Sequence, residues 1–348
     1  MYAYDEFSVL FWEGNVMLGE GASFPLGQMT TDFLNLDVKV LHEIHRRAKD
    51  FVKDARALFK NKNSGAVLPV QEKLNAVWDL IFDLPFYRNL PLNIYGARNL
   101  FPTLLQDKAL WKDLMKDGTE RNKAFMVFLD KLEYFAQSIE NFRGQVSSML
   151  ELYFEQLPRR NSEAYAVAYT KYFKDMINGG AMLSIGREFE QGFDLKVKFV
   201  PLLNPTVKGK PILAEETEFS YLSFFLYTDF YRGLIAGNIP RRCHNCRRYF
   251  LLNKGYDTCY CNSIAPGETA KTCRKVGAHK KEARNHSGAT PAQKEYRKAY
   301  NKLKTRRARG KLSVDEWNAT VALALEYKDK AEAGEITDLE LKKLYDKM

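Results

Sequence analysis

The sequence predicts a mainly α-helical protein with small β elements: a helical N-terminal domain, then a cysteine-rich module and basic helices. Apolar residues recur at helical spacing from about residue 32 to 182. All five cysteines lie between positions 243 and 273, and the excess positive charge is confined to residues 241–311. We therefore expect a domain over residues 1–240, a module over residues 241–289 and helices over residues 290–348.

Two stretches of the first domain are predicted to form strands. Residues 7–19 are typical of two short strands around a turn, and residues 187–214 of strands separated by a loop at 205–211. A helix is predicted over residues 216–235, ending at the Gly/Pro-containing stretch 237–240. Because the charge also changes there, this stretch is the predicted domain boundary.

The clearest predicted helix runs from about residue 119 to 157. Two sets of apolar residues repeat there every seven positions: Phe125, Leu132, Ile139, Val146 and Tyr153, then Phe128, Phe135, Phe142 and Met149. Such a seam fits either the central helix of an intramolecular bundle or a dimeric coiled coil. We predict the bundle, because so many phenylalanines suit a wide core better than a narrow two-stranded seam.

Three helices are predicted after the cysteine-rich module, each from a capping signal. Helix starts are indicated by Thr290-Pro-Ala-Gln293, by Ser313-Val-Asp-Glu316 and by Thr337-Asp-Leu-Glu340. The first should present Tyr296, Ala299, Tyr300 and Leu303 to a core, because these positions follow the helical i, i+3, i+4, i+7 rule.

The chain carries no sign of a membrane or secretory protein. Asp5 and Glu6 stand where a secretory signal needs basic and then apolar residues, and no window approaches 18 uncharged apolar residues. We expect a soluble, cytoplasmic protein without a membrane partner.

The five cysteines are spaced as metal ligands. They fall within 31 residues, and their odd number in an intracellular chain argues against disulfides. Cys243 and Cys246 form a C-x2-C knuckle, residues 247–261 are predicted to form a hairpin, and Cys273 lies where a helix should begin. Knuckle, hairpin and helix in this order make a treble clef. Four cysteine thiolates around one ion form a closed structural site, for which Zn is the expected metal.

The residues alone leave the third ligand open. Cys259 and Cys261 lie two positions apart, so on a strand they would point to the same face and either could reach the ion. His244 and His279 are nearby substitutes, although four thiolates already satisfy the metal.

Several short motifs carry a resemblance to a known family. They are Cys243-x2-Cys246-x2-Tyr249-Phe250, Tyr260-Cys261, Thr272-Cys273-Arg274, Gly277-Ala278 and Gly310-Lys-Leu-Ser313. Roughly the last 110 residues resemble an uncharacterised family of bacterial proteins with a C-terminal zinc finger, found in genomes and mobile elements. The finger is more distantly similar to the CGNR-type fingers of transcription regulators. The resemblance implies Zn held by Cys243, Cys246, Cys261 and Cys273, and the extra Cys259 departs from the family pattern.

The charge of residues 241–311 predicts a polyanionic partner. This segment holds 20 Lys or Arg against 4 Asp or Glu, whereas the chain as a whole has a net charge of only +10. The predicted nucleic-acid-binding residues are Arg241, Arg242, Arg247, Arg248, Arg274, Lys275, Lys280, Lys281, Arg284, Arg297, Lys298, Lys302, Arg306 and Arg307. A solvated basic face and an acidic protein partner are the alternatives.

DNA is favoured over RNA, because a compact finger with a helix suits a groove. Four aromatic residues could instead stack unpaired bases, although they also suit the small core of the finger: Tyr249, Phe250, Tyr256 and Tyr260.

We do not expect an enzyme. No Walker loop, dinucleotide fingerprint, nucleophile elbow or HExxH motif is present, and His42 and His45 lie three apart in a helix rich in Arg and Lys. A treble-clef nuclease would need His244, Asn285 or His286 with a second metal ion, but the chain lacks the paired His/Asp arrangement for it.

The sequence thus predicts a zinc-finger regulator that binds the DNA of a bacterial genome or mobile element. The main alternative is a phage or host-defence factor whose finger docks a protein. In the predicted regulator, residues 1–240 would act as a sensor, a partner-binding region or a homodimer interface.

Overall fold

The computed structural model describes residues 6–19, 22–61, 64–178, 195–204, 209–255, 257–288 and 290–348. The chain forms two compact units. The first comprises Met1–Cys243 and Arg247–Cys259, and the second His244–Cys246 and Tyr260–Met348. The structure is mainly helical with small antiparallel sheets, as the sequence predicted. Within the described ranges, no helix is both long enough and apolar enough to cross a membrane.

The first unit contains a five-stranded antiparallel sheet. Its strands are β1 (Phe7–Trp12), β2 (Asn15–Leu18), β3 (Ala22–Pro25), β4 (Lys196–Leu203) and β5 (Pro211–Phe219). They lie in the order β3-β2-β1-β5-β4. The predicted hairpin at residues 7–19 is confirmed. Glu13 and Gly14 both have positive φ, 39° and 80°, which is the type I′ geometry that suits the twist of a two-residue hairpin.

The second predicted strand region is confirmed where it is described, at β4 and β5; residues 187–194 and 205–208 lie outside the described residues. The prediction of helix from residue 216 is wrong. Residues 215–219 pair with β1, and Phe219 is fully buried opposite Phe7, so strand pairing overrides the local helical pattern.

Nine α-helices are described in the first unit. They are α1 (Gln28–Leu34), α2 (Val38–Asn61), α3 (Val67–Ile81), α4 (Ile94–Arg98), α5 (Leu100–Gln106), α6 (Lys108–Leu114), α7 (Glu120–Met149), α8 (Ser162–Asn178) and α9 (Leu222–Ala236). The long α7 begins at Thr119, whose side chain accepts a hydrogen bond from the Asn122 N–H. It runs on as one π-helical segment, Leu150–Phe154.

The repeating seam of α7 lies inside the core of this unit. Phe125, Leu132, Ile139, Phe142 and Val146 are fully buried, and α7 packs against α1, α2 and α9. Because the seam residues are already buried against helices of the same chain, α7 belongs to an intramolecular bundle. These residues are not available to a coiled-coil partner.

One carboxylate is buried in this core. Asp229 on α9 accepts hydrogen bonds from the backbone N–H groups of Gly27 (2.8 Å) and Thr30 (2.9 Å), at the start of α1, and from the Thr30 hydroxyl (2.9 Å). Helix α1 has no capping side chain of its own, so Asp229 supplies the acceptor from a distant part of the chain. Burial raises the pKa of Asp229 to about 6, although the backbone hydrogen bonds oppose the shift.

Helix α9 ends at Gly237, which adopts a left-handed conformation (φ 87°) and turns the chain into a short hairpin. Its strands are β6 (Ile239–Arg242) and β7 (Tyr249–Leu252). Asn35 fixes this hairpin to the rest of the first unit, because its side chain both accepts from the Tyr249 N–H and donates to the Tyr249 carbonyl.

The second unit contains four described helices: α10 (Cys273–Ser287), α11 (Pro291–Ala308), α12 (Val314–Glu332) and α13 (Asp338–Asp346). The capping boxes predicted for α12 and α13 are confirmed. For α11, Thr290 caps the helix as predicted, but the Gln293 side chain donates to Glu332 rather than back to Thr290. The core shared by α11, α12 and α13 is small, with Ala292, Ala299, Ala324, Leu341 and Tyr345 buried.

Candidate metal centre

The C-x2-C knuckle connects the strands β6 and β7. The Cys243 N–H donates to the Arg248 carbonyl (2.8 Å), and the Arg247 N–H donates to the Cys243 carbonyl (2.9 Å). Arg247 has positive φ (65°), which lets the chain reverse within a few residues. The hairpin predicted over residues 247–261 is therefore wrong: β7 pairs with β6, which precedes the knuckle, and residues 257–261 form no strand. The sharp reversal at the knuckle brings its two flanks together, and their pairing replaces the predicted one.

The other two cysteines of the motif are joined through backbone contacts. The Cys273 N–H donates to the Ser263 carbonyl (2.9 Å), and the Arg274 N–H donates to the Cys261 carbonyl (3.0 Å). Helix α10 begins at Cys273, as the sequence predicted. The last cysteine therefore projects from the first turn of a helix, where N–H groups and the helix dipole favour a negative thiolate.

Four sulfur atoms come together. The Sγ atoms of Cys243, Cys246, Cys261 and Cys273 all lie within 4.8 Å of one another, and those of Cys246 and Cys261 are 3.7 Å apart. Tetrahedral Zn with bonds of about 2.3 Å needs sulfurs separated by about 3.8 Å. Three of the cysteines are buried, and none of the five forms a disulfide. The arrangement could hold a metal ion, and it is the one such cluster found among the described residues.

Cys259 lies outside this group and has a different partner. Its Sγ accepts a hydrogen bond from the Arg241 guanidinium (3.1 Å), which also donates to the Asp257 carboxylate and the Thr258 carbonyl, both at 2.9 Å. The geometry thus distinguishes Cys259 from Cys261, which spacing alone did not. Arg241 is only 7% exposed, so its predicted contact with nucleic acid is not retained: the guanidinium is used to order the segment that contains Cys259.

The two candidate substitute histidines do not join the sulfur cluster. His244 is exposed, and its ring meets the Tyr260 ring edge-on at a centroid distance of 6.0 Å; His279 is exposed on α10. The side chains of Asn285 and His286, proposed for a nuclease, lie outside the described residues.

An outer contact to the cluster was not foreseen from the sequence. The Asn245 amide donates to the Cys273 Sγ (3.4 Å) and accepts from the Lys280 ammonium (3.0 Å). A donor to a ligating thiolate fixes its orientation and offsets part of its charge. Asn245 lies between the two knuckle cysteines, a position at which an amide could have been suspected of this role.

Gly277 allows close packing beside the cluster. A Cβ at this position would lie 2.5 Å from the Tyr260 ring, so only glycine lets the ring lie against α10. Tyr260 therefore packs within the module rather than offering a free face for a base. Tyr249 is buried and Phe250 half-buried, while Tyr256 lies outside the described residues.

The predicted basic residues differ in exposure. Those with exposed side chains are Arg242, Arg247, Arg248, Arg274, Lys275, Lys280, Lys298, Lys302 and Arg307. Arg297 and Arg306 are half-buried, and the side chains of Lys281 and Arg284 lie outside the described residues. Arg242 pairs with Glu151, and the Arg307 guanidinium lies 5.4 Å from the Trp317 ring centroid. Of these nine exposed residues, six lie on helices α10 and α11.

Comparisons with known proteins give one family match, to the C-terminal part of the chain, and it carries no known activity. No curated protein and no solved structure shows significant similarity to this chain. Residues 190–348, which include the sulfur cluster and the basic helices, match the model of a family described as "Family of unknown function (DUF6076)".

Proposed function

We propose that the cysteine cluster and the basic helices form a zinc-stabilised module that binds nucleic acid, with duplex DNA preferred to RNA. Zinc is the metal that four cysteine thiolates at tetrahedral separations suit best, and a closed site of this kind is structural. The metal would hold residues too poor in apolar side chains to fold alone, and so give the basic helices a fixed shape.

The observation that carries this proposal is the exposed cationic face of α11. Lys294, Lys298 and Lys302 are all exposed, and their spacing of four residues places them on one side of the helix, about 6 Å apart along its axis. Glu295 is the single acidic residue of α11, and it pairs with Lys298. Lys304, Arg307 and Arg309 extend the exposed charge to the end of the helix. The like charges on α11 repel one another, and contact with phosphate groups would neutralise them and so relieve this repulsion.

The start of α10 supplies a second group of cations. Arg274 and Lys275 directly follow the ligand Cys273, and Lys280 reaches the cluster through Asn245. Binding by this group should depend on the metal, because the same helix turn provides the fourth thiolate. By its resemblance to the family with a C-terminal finger, the chain would regulate a bacterial genome or a mobile element.

A salt titration tests the proposal. Fluorescence anisotropy of labelled duplex DNA, single-stranded DNA and duplex RNA should show tightest binding to duplex DNA, with affinity falling steeply as salt rises. Replacing Lys294, Lys298 and Lys302 together by Gln should weaken the salt dependence. The slope of log affinity against log salt should become less negative by about 2.7. The matched control replaces Lys342, Lys343 and Lys347, which are exposed at α13 in the same unit, and should leave the slope unchanged.

Two results would contradict the proposal, one from the wild-type protein and one from the triple variants. If the zinc-loaded protein does not bind at low salt, nucleic acid is not the partner, and an acidic protein becomes the next candidate. Equal slopes for the two triple variants would remove α11 from the interface. Metal analysis should find about one zinc per chain.

A further inference from the structure

Two cysteines are candidates for one place in the sulfur cluster. Cys259 and Cys261 are separated by Tyr260 alone, and residues 257–261 belong to no helix or strand. Two residues of chain span at most about 7 Å, so both thiols are within reach of a common ion once their side chains turn toward it. Because no regular backbone fixes the direction of each side chain, the local chain does not decide which of the two thiols meets the ion.

The Arg241 guanidinium binds the three residues that precede Tyr260. Its Nη1 donates to the Asp257 carboxylate and to the Thr258 carbonyl, both at 2.9 Å, and its Nη2 donates to the Cys259 Sγ at 3.1 Å. A single side chain thus contacts three consecutive residues. Because the guanidinium is a rigid planar fork, these bonds fix where the Cys259 thiol lies.

Arg241 is itself held in place. It lies in β6, opposite Phe250 of β7, and it is only 7% exposed. A buried guanidinium keeps its charge and needs acceptors, which the segment 257–259 supplies. Releasing the Cys259 thiol would therefore cost this guanidinium one of its acceptors.

Cys261 is positioned by different contacts. Its carbonyl accepts from the Arg274 N–H (3.0 Å), and its Sγ lies 3.7 Å from that of Cys246. Its side chain is buried, whereas that of Cys259 is half-buried and lies outside the group of four sulfurs. The guanidinium therefore engages one thiol, while the other belongs to the cluster.

We propose that Arg241 determines which cysteine completes the metal site, because it holds Cys259 and so makes Cys261 the third ligand. Without the guanidinium, the Cys259 thiol is free to compete for the ion, since only Tyr260 separates it from Cys261. Arg241 is thus a positioning residue of the metal site and not a ligand. This inference rests on the metal site of the proposed function but not on nucleic-acid binding.

Titration of the full chain with Co²⁺ under reducing conditions tests the choice of ligand, because the charge-transfer absorption of the bound ion grows with the number of thiolates. Cys261→Ser should lose the fourth thiolate and bind Co²⁺ more weakly than the wild type, since Cys259 stays bound to Arg241. Adding Arg241→Ala should restore the four-thiolate absorption. It should also tighten Co²⁺ binding by about tenfold or more, the range in which groups beyond the ligands change metal affinity.

The matched control adds Arg232→Ala to Cys261→Ser. This change removes a half-buried guanidinium that pairs with Glu215 in the same unit, and it should restore neither the absorption nor the affinity. The comparison is repeated with Arg241→Lys, which keeps the buried positive charge but replaces the fork by a single ammonium group. This second variant decides the result if Arg241→Ala lowers the helix content measured by circular dichroism.

Alkylation of the zinc-loaded chain measures the same choice with all five cysteines present. In the wild type, mass spectrometry should find iodoacetamide on Cys259 and hardly any on Cys261. In Arg241→Ala and in Arg241→Lys, modification of Cys259 should fall and that of Cys261 should rise, because the two thiols then share the ion.

Two results would overturn the proposal. The first is a folded double variant that binds Co²⁺ no better than Cys261→Ser. The second is a four-thiolate spectrum from Cys261→Ser alone, since Cys259 would then reach the ion with Arg241 still in place. A wild type without the four-thiolate spectrum would remove the metal site itself, and with it the proposed function as well as this inference.

Discussion

The two units of this protein are stabilised in different ways. In the first, helices and a sheet bury a large aromatic and aliphatic core, with Phe125, Phe128 and Phe142 among its fully buried residues. In the second, the core shared by α11, α12 and α13 is small, with three alanines beside Leu341 and Tyr345, and the buried apolar side chains described within residues 260–280 are those of Cys261, Ala265 and Cys273. A module this poor in apolar area needs a metal or disulfides to fold. Under the proposed function, a metal ion held by the four thiolates supplies the stabilisation that burial gives to the first unit.

The buried ionisable groups of the two regions require opposite protonation states. Asp229 is a carboxylate held in an apolar core, where burial favours its protonated form. The thiolates of the cluster must instead be deprotonated to hold a metal. Acid should therefore act in opposite directions on the two regions.

The largest expected effect comes from a metal ligand. Cys273→Ser should abolish high-affinity metal binding and unfold residues 261–287, because the loss of structural zinc is worth on the order of 10 kcal/mol. Hydrogen exchange measured by mass spectrometry should show loss of protection in this segment, with helices α2, α7 and α9 protected as in the wild type. Cys259→Ser is the control and should retain one metal per chain. Equal metal content in the two variants would contradict the assignment of the four ligands.

An intermediate effect is expected at Asp229. Asp229→Asn should destabilise the first unit by about 3 kcal/mol at neutral pH, because the amide cannot accept from both Gly27 and Thr30 without turning its NH₂ group toward one of their N–H groups.

The pH dependence of this variant tests the same buried group. With its native pKa raised from 3.8 to about 6, Asp229 binds a proton in the folded state before it does in the unfolded chain. Its contribution to the free energy of unfolding therefore increases as pH falls from about 6 toward 3.8. Denaturant titrations at several pH values should show this increase in the wild type and not in Asp229→Asn. Parallel pH profiles for the two proteins would contradict the shifted pKa.

The smallest effects are expected when one glycine of each unit is replaced by alanine. Gly277→Ala should destabilise the second unit by about 2 kcal/mol, because the new methyl group overlaps the Tyr260 ring. Gly144→Ala, at an exposed position of α7 with no atom within 4 Å of the new Cβ, should stabilise the first unit by about 0.5–1 kcal/mol. Thermal unfolding of both variants measures the pair. A stabilised Gly277→Ala would show that Tyr260 does not pack against α10.

The sequence by itself determined the features that depend on neighbouring residues. Helix α7, the capping boxes of α12 and α13, and the turn at Glu13 and Gly14 are set by local spacing, caps and turn chemistry, and the structure contains each of them. The close spacing of the cysteines likewise indicated one cluster, because cysteines joined by short segments of chain remain close enough in space to bind the same ion.

The tertiary structure alone decided which distant segments meet. Residues 216–219 have a helical pattern but pair with β1, and β7 pairs with the strand before the knuckle rather than with a strand after it. The same holds for Asp229 at the start of α1 and for Arg241, which binds Cys259 and so separates it from the other four thiols. Such pairings depend on contacts between residues far apart in sequence, where the burial of one side chain sets the partner of another; local propensity and spacing carry no information about them.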